Sequence, residues 1–406
     1  MIIGPCAVVT GGPEPAVLED AAVRVIGAHI AQVGPAGNLA AAYPDDTLWP
    51  ARGRVVMPGF VNTHAHLARN LARGLALTSP ADWRRFDQAL SPDDVYWATM
   101  AALVEGVRHG VTTVCDFNRA GAGIDRALPE VVEAGAKVGV RVATCFGADE
   151  EDTPAERQAA LFESADFARV LARKRSGRLR GMVGVRATTL AGVERLVHES
   201  LAAAGDGQAV HVELALDATH AERWGGALWP PGVSASLWAH AERAPRGLVS
   251  AVQERGDALT ATGTGATAAL AREAELGWGS DAGVNAPPVP DVTQGWPLDR
   301  RMLELHYHRL VVNGARWAAD HFGPRLGMVA PGSPADLLLV DYRAATEFSS
   351  ATVLDHMWAG LLRAPVSGVM VAGEILMDNG QLVSVDEREV AARARECAAR
   401  VWARLG

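Results

Sequence analysis

His64 and His66 stand two residues apart at the end of the stretch Pro58-Gly59-Phe60-Val61-Asn62-Thr63-His64-Ala65-His66-Leu67. An apolar run with strand character enters it from Arg54 and Val55. Alternate side chains on a strand leave the same face, so both imidazoles can grip one metal ion. A bare H-x-H pair also suits a surface turn, and context must decide. Here a buried-looking strand precedes the pair, a helix-like segment from Leu67 to Leu77 follows it, and Gly277-Trp278-Gly279-Ser280-Asp281 answers it with another short run ending in an acid. Such residues suit metal-assisted hydrolysis, in which a cation lowers the pKa of water from about 15.7 toward about 7 and a base collects the proton.

The elements that must position these groups alternate along the chain. Strand-like runs are expected at 112–117, 140–146, 182–187, 209–214, 236–240, 258–261 and 275–281, with amphipathic helical text between them. With the His64 strand they make eight, the pattern of a TIM-type (β/α)8 barrel, whose chemistry gathers at the C-terminal strand ends. Short β pieces at 6–10, 23–26 and 30–34 read as a small antiparallel unit, and the same texture returns at 335–341 and 366–374. The expected organisation is a small β-sandwich domain built from both termini (1–57 and 328–384), a catalytic barrel (58–327) and a C-terminal helix (385–406). Asn285-Ala286-Pro287-Pro288-Val289-Pro290 is too rich in proline for helix and is expected to loop over the barrel mouth.

Bulk properties bound the partners. A chain of 406 residues that is 49% hydrophobic can bury a large core, enough for a barrel of about 250 residues and an additional domain. The net charge of -9 gives no basic footprint for nucleic acid and no polybasic membrane patch. Cys6, Cys115, Cys145 and Cys397 are scattered, without C-x-x-C spacing, and read as reduced structural thiols. No segment approaches the roughly 20 apolar residues of a membrane helix. The expectation is a cytoplasmic protein with a small-molecule substrate, no nucleic-acid or membrane partner, and a homodimer left open.

The PGFVNTHAHL text, the closing Gly-Ser-Asp at 279–281 and Pro331-Gly-Ser-Pro-Ala-Asp-Leu337 resemble the amidohydrolase superfamily, nearest to its chlorohydrolase, guanine and cytosine deaminase and SsnA-like aminohydrolase branch. The resemblance implies one divalent metal, Zn first with Fe or Mn as alternatives, held by His64, His66, His240 and Asp281 and by a group on strand five. There the chain departs from its relatives, which often read His-Val-His-Val-Ala-Glu. In register, Glu213 takes the place of the metal histidine and Leu216 that of the proton-shuttling glutamate. Either Glu213 or His211, two residues earlier on the same face, can complete the set, with a slight preference for Glu213. On strand four Arg186 replaces a histidine, free to bind a substrate anion or to pair with Glu213. Asn118 also stands where relatives carry histidine.

The function implied is a mononuclear metal enzyme acting on a carbon-nitrogen bond by amide or amidine hydrolysis or by deamination, with Asp281, Glu213 and Arg186 in catalytic roles. Leucine cannot donate the proton that ring deamination needs, unless Asp217 or Asp116 has taken over. That gap keeps a cyclodehydratase open, closing an internal amine onto an amide carbonyl to give an imidazoline-type ring in natural-product biosynthesis. A non-catalytic binder on a degenerate barrel is the reading from another class. Trp83, Trp224, Trp229, Trp238 and Trp278 are candidates to wall an aromatic substrate. His306, Tyr307 and His308, splayed by helical spacing, are read as structural.

Overall fold

The computed structural model describes residues 1–121, 124–205, 207–216, 236–262, 274–288 and 299–406. They form two compact units: Met1–Val61 with Gly106–Thr113 and Ala286–Ser384, and Asn62–Glu105 with Val114–Asn285 and Val385–Gly406. In chain order the strands are β1 (Ile2–Val9), β2 (Val17–Ile26), β3 (His29–Pro35), β4 (Leu48–Pro50), β5 (Val55–Pro58), β6 (Phe60–Ala65), β7 (Val111–Asn118), β8 (Arg141–Asp149), β9 (Leu179–Gly181), β10 (Val183–Ala187), β11 (Val210–Leu214), β12 (Leu237–Ala239), β13 (Ala258–Ala261), β14 (Leu276–Trp278), β15 (Leu337–Val340), β16 (Val366–Val371), β17 (Glu374–Asp378) and β18 (Gln381–Leu382).

Eight of them follow one another around a TIM-type (β/α)8 barrel, in the order β6-β7-β8-β10-β11-β12-β13-β14, with the short β9 beside β8. The pairs from β8 round to β14 run parallel. A parallel bridge between Ala65 and Asp281 joins the ends of the first and last strands. Every residue of β7 and β8 is buried, as expected of strands covered on both faces. The eight expected strand regions are these eight strands.

Local chemistry starts the helices between them. Thr153 and Glu156 form a reciprocal capping box ahead of the helix Pro154–Lys174, and Ser79 with Asp82 does the same for Pro80–Ala89. Thr189 caps Leu190–Ala204, which stops at Gly205 in a positive-φ conformation. The helix-like segment expected from Leu67 to Leu77 is shorter than that span. It makes only a 3-10 helix, Leu67–Ala72, and Arg73 then turns extended before Gly74, at φ 102°, breaks the direction.

Strands from both ends of the chain build a separate mixed sheet, ordered β18-β17-β16-β15-β5-β1-β2-β3, with β4 also on β1. The antiparallel unit read from the first strands is β1-β2-β3, both of whose pairs run antiparallel, and β1 also pairs in parallel with β4 and β5. The helix Ala36–Ala42 supplies the crossover that parallel return requires. Ile3, Val8, Val23, Ile30, Leu337, Leu339 and Met370 form its apolar core.

The last helix, Glu387–Leu405, begins where Asp386 accepts from the Arg388 and Glu389 amides. Its buried Val390, Ala394, Cys397 and Val401 recur at helical spacing, and the Trp402 indole donates to the Leu71 carbonyl at 2.8 Å. Tyr307 ends the helix Arg300–Tyr307, buried, its hydroxyl donating to the Gly12 carbonyl at 2.8 Å. His308 opens a π-helical segment. Residues 285–288 form no helix, and Val289 and Pro290 lie outside the described residues.

Candidate metal centre

β6 delivers His64 inside the barrel, and His66 follows at the N-terminus of the 3-10 helix. The closing strand meets them through its backbone: the Asp281 amide donates to the His64 carbonyl at 3.1 Å and the His66 amide to the Asp281 carbonyl at 3.0 Å. This approach needs glycine at 279, where a Cβ would stand 2.8 Å from Thr260 Cγ2 and 2.9 Å from His64 Cβ. The Asp281 carboxylate then reaches the imidazoles, Oδ1 lying 3.3 Å from His66 Nε2, 4.0 Å from His64 Nε2 and 3.9 Å from His240 Nε2. Glu213 Oε2, from the end of β11, is 3.7 Å from His66 Nε2. His240 and Asp281 both hold left-handed backbone, φ 59° and 55°, a strained setting for residues other than glycine and common where geometry serves a site.

His64 Nε2, His66 Nε2 and Glu213 Oε2 are buried and have no hydrogen-bond partner. Orphaned buried atoms of this kind are costly unless something pairs with them. Imidazole nitrogens and carboxylate oxygens converging on one spot suit a single divalent cation, so the residues fit a mononuclear metal centre. Another cluster among the described residues, Asp93, Asp94 and Cys397, is met by Arg400 and Arg404 and is structural.

The Amidohydrolase family model matches residues 55–226. Over 99% of the chain and 98% of the relative, it is 26% identical to a 5-methylthioadenosine/S-adenosylhomocysteine deaminase from Pelotomaculum thermopropionicum. A 5'-deoxyadenosine deaminase from Methanosarcina barkeri is 25% identical, covering 100% of the chain and 99% of the relative. A zinc-bound adenosine deaminase from Xanthomonas campestris shares the fold at TM-score 0.70 and 22% identity, covering 99% of this chain and 98% of that one. Atrazine chlorohydrolase from Arthrobacter aurescens, complexed with zinc, does so at TM-score 0.68 and 18% identity, covering 98% and 99%. Over residues 55–226 the chain matches the amidohydrolase family, and its fold is that of the two zinc-bound structures.

On strands four and five the barrel carries Arg186, His211 and Glu213. His211 does not face the cluster: its Nε2 lies 3.0 Å from His64 Nδ1, and its Nδ1 lies 3.4 Å from Cys115 Sγ and 3.8 Å from Cys145 Sγ. Burial takes His211 down to about 3 and, with neighbouring imidazoles, His64 well below its usual value, so both rings are neutral. His66 Nδ1 stands 2.8 Å from the Phe117 carbonyl. His240 Nδ1 meets Thr262 Oγ1 at 2.9 Å and Glu242 Oε1 at 3.3 Å. Although burial disfavours the charged ring, the Glu242 contact raises the pKa of His240.

Arg186 lies between two carboxylates, its Nε 3.4 Å from Glu213 Oε1 and its Nη1 2.8 Å from Asp149 Oδ2. Burial pushes Glu213 up, but His66 and Arg186 outweigh it and hold the carboxyl at about 2. Asp281 is likewise held well below the carboxylate range, burial being outweighed by His66 and His240. A cavity of about 250 Å³ opens onto Glu213, His240 and Asp281, and Trp83 walls it with the Arg69 guanidinium 4.9 Å over its ring. Asp87 binds Arg69 through both carboxylate oxygens, Asp152 binds Arg119, and Glu151 binds Arg84, so these cationic walls are matched by acids.

Leu216 is buried in the apolar cluster of the barrel. Asp116 does not replace the missing carboxylate: Oδ1 accepts from the Leu67 amide at 3.0 Å and Oδ2 from Thr144 at 2.8 Å. Asn118 is buried, its Oδ1 accepting from the Ala120 amide. Asp217, His220, Trp224 and Trp229 lie outside the described residues. Trp238 and Trp278 are core residues, the Trp238 indole donating to Asp257. Sequence reasoning passed over Asp149, Arg243 and Glu242. Asp149 ends a barrel strand, Arg243 lines the cavity just after another, and Glu242 follows His240 by two, so their positions were the available signal.

Proposed function

We propose that this chain is an amidohydrolase that acts on a carbon-nitrogen bond of a small molecule, in the manner of a deaminase, with His64, His66, His240, Glu213 and Asp281 holding one divalent ion, zinc first and iron or manganese as alternatives. The observation that carries this reading is the convergence of orphaned His64 Nε2, His66 Nε2 and Glu213 Oε2 beside Asp281. When bound, the ion would lower the pKa of water and polarise the carbon under attack. Asp281 Oδ1, unprotonated and open to the cavity, would take the proton. Arg186 would hold Glu213 by Oε1 and leave Oε2 for the cation, and Trp83 would stack on an aromatic ring. Glu213 is favoured over His211 as the strand-five ligand, because both nitrogens of His211 face other partners.

The full-length likeness to deaminases of adenosine derivatives sets the first assay. Zinc-loaded protein is incubated with 5'-methylthioadenosine and 5'-deoxyadenosine, and ammonia is measured. Release that stops on chelation and returns with metal supports the reading; a protein that takes up no metal would favour the binder. The burial of Leu216 at the proton-shuttle position supports a second reading, cyclodehydration of an aminoethyl amide. Loss of one water by mass supports closure, and release of two fragments supports hydrolysis.

A further inference from the structure

We propose that His211 is a positioning residue that fixes the tautomer and orientation of His64 through a one-way hydrogen-bond chain ending on sulfur, and so sets how tightly the centre holds its cation. The proposal rests on the metal-centre reading above. For His64 Nε2 to keep a lone pair for the ion, the ring proton must sit on Nδ1, which then donates to His211 Nε2 at 3.0 Å. A neutral His211 has one N–H left to place, and it falls on Nδ1, facing Cys115 Sγ at 3.4 Å and Cys145 Sγ at 3.8 Å. The thiol protons also have acceptors: Met182 Sδ lies 3.8 Å from Cys115 Sγ, and the Asp116 carbonyl oxygen 3.7 Å from Cys145 Sγ. Each donor in the series therefore points away from the ion.

The reverse order puts a proton on His64 Nε2, where it has no partner and blocks the site. A ligating histidine is usually backed by a carboxylate, a carbonyl or water. His240 has Glu242 and His66 has the Phe117 carbonyl, but His64 is backed by another imidazole and two thiols. The carboxylate of Asp116 cannot substitute, both its oxygens being engaged elsewhere. His211 is also fully buried, so no water replaces it without opening the barrel interior.

The test strips the full chain of metal and titrates zinc against a chromophoric chelator, with the unfolding midpoint of each metal-free variant as the control for folding. His211→Phe, which removes the acceptor and keeps a ring, should weaken zinc binding about 10- to 100-fold while the stoichiometry stays at one ion. His211→Asn, whose Oδ1 can accept from His64 Nδ1, should recover most of that loss, and Cys115→Val with Cys145→Val should give a smaller one. A folded His211→Phe protein binding zinc like the parent would overturn the proposal. So would complete loss of the ion in both His211 variants, which would make His211 a ligand. If His211→Phe does not fold, the double cysteine variant decides: unchanged affinity overturns the relay and weakened affinity supports it. A parent chain that binds no zinc instead refutes the metal centre itself.

Discussion

Glu213 and Arg186 form a facing pair where the family resemblance implies histidines, and their distances give the pairing a physical reason. Arg186 occupies one carboxylate oxygen and leaves the other beside His66. Arg186→Leu should therefore weaken metal binding about 10- to 100-fold, the range expected when a partner behind a ligand is lost. Arg186→Lys should recover only part, since a point charge cannot bridge Glu213 and Asp149 as a planar fork does. Chelator competition reads both; equal affinity in all three proteins would remove Arg186 from the centre. Much of this geometry was legible in the sequence, since the H-x-H spacing, His240 and the Gly-Ser-Asp ending named residues that converge. The strand-five alternative was not, because His211 and Glu213 share a strand face by alternation, and only the positions of Cys115 and Cys145 separate them.

The elements that carry the site depend on close backbone approach and on capping. Gly279→Ala places a methyl group within 3.0 Å of Thr260, His64 Cβ and the His64 carbonyl. It should destabilise the chain by about 1–3 kcal/mol and weaken zinc binding together, because the crowded strand is the one bearing His64, the first proposed ligand. Denaturant unfolding and zinc titration of the same preparation check it; an unaffected protein would show that β6 and the Gly-Ser-Asp turn are not tightly apposed. The C-terminal helix is fastened by Asp94, which accepts from Ser91, Arg404 and Arg400. Asp94→Asn should cost roughly 1–3 kcal/mol by denaturant unfolding. The periodicity of 387–405 announced this helix, whereas the short 3-10 turn after His66 was hidden, since apolar spacing does not reveal a break set by Gly74 and by capture of the Leu67 amide by Asp116.

Across the whole molecule, acid and metal should move stability in predictable directions. Burial pushes Glu150 up, but hydrogen bonds from Thr189 and Thr188 outweigh it and hold its pKa low; burial of Asp94 is likewise outweighed by Ser91 and Arg404. Carboxyls held low in the native state stabilise it above their unfolded pKa, about 4, and lose that contribution as pH falls through the native values. The unfolding midpoint should thus drop on acidification below about pH 4, and Glu150→Gln should flatten the dependence. Zinc at about 100 times its dissociation constant should add ~2.7 kcal/mol to stability, reversed by chelation. The mixed β sheet was less legible than the barrel, since short strands show their period but not the direction in which β1 meets β4 and β5. The most direct test of the centre is an anomalous difference map from a zinc-loaded crystal. The account predicts one peak about 2.0–2.2 Å from His64 Nε2, His66 Nε2, His240 Nε2 and the Glu213 and Asp281 carboxylates. A peak bound by His211, or no peak among these residues in a zinc-saturated crystal, would contradict it.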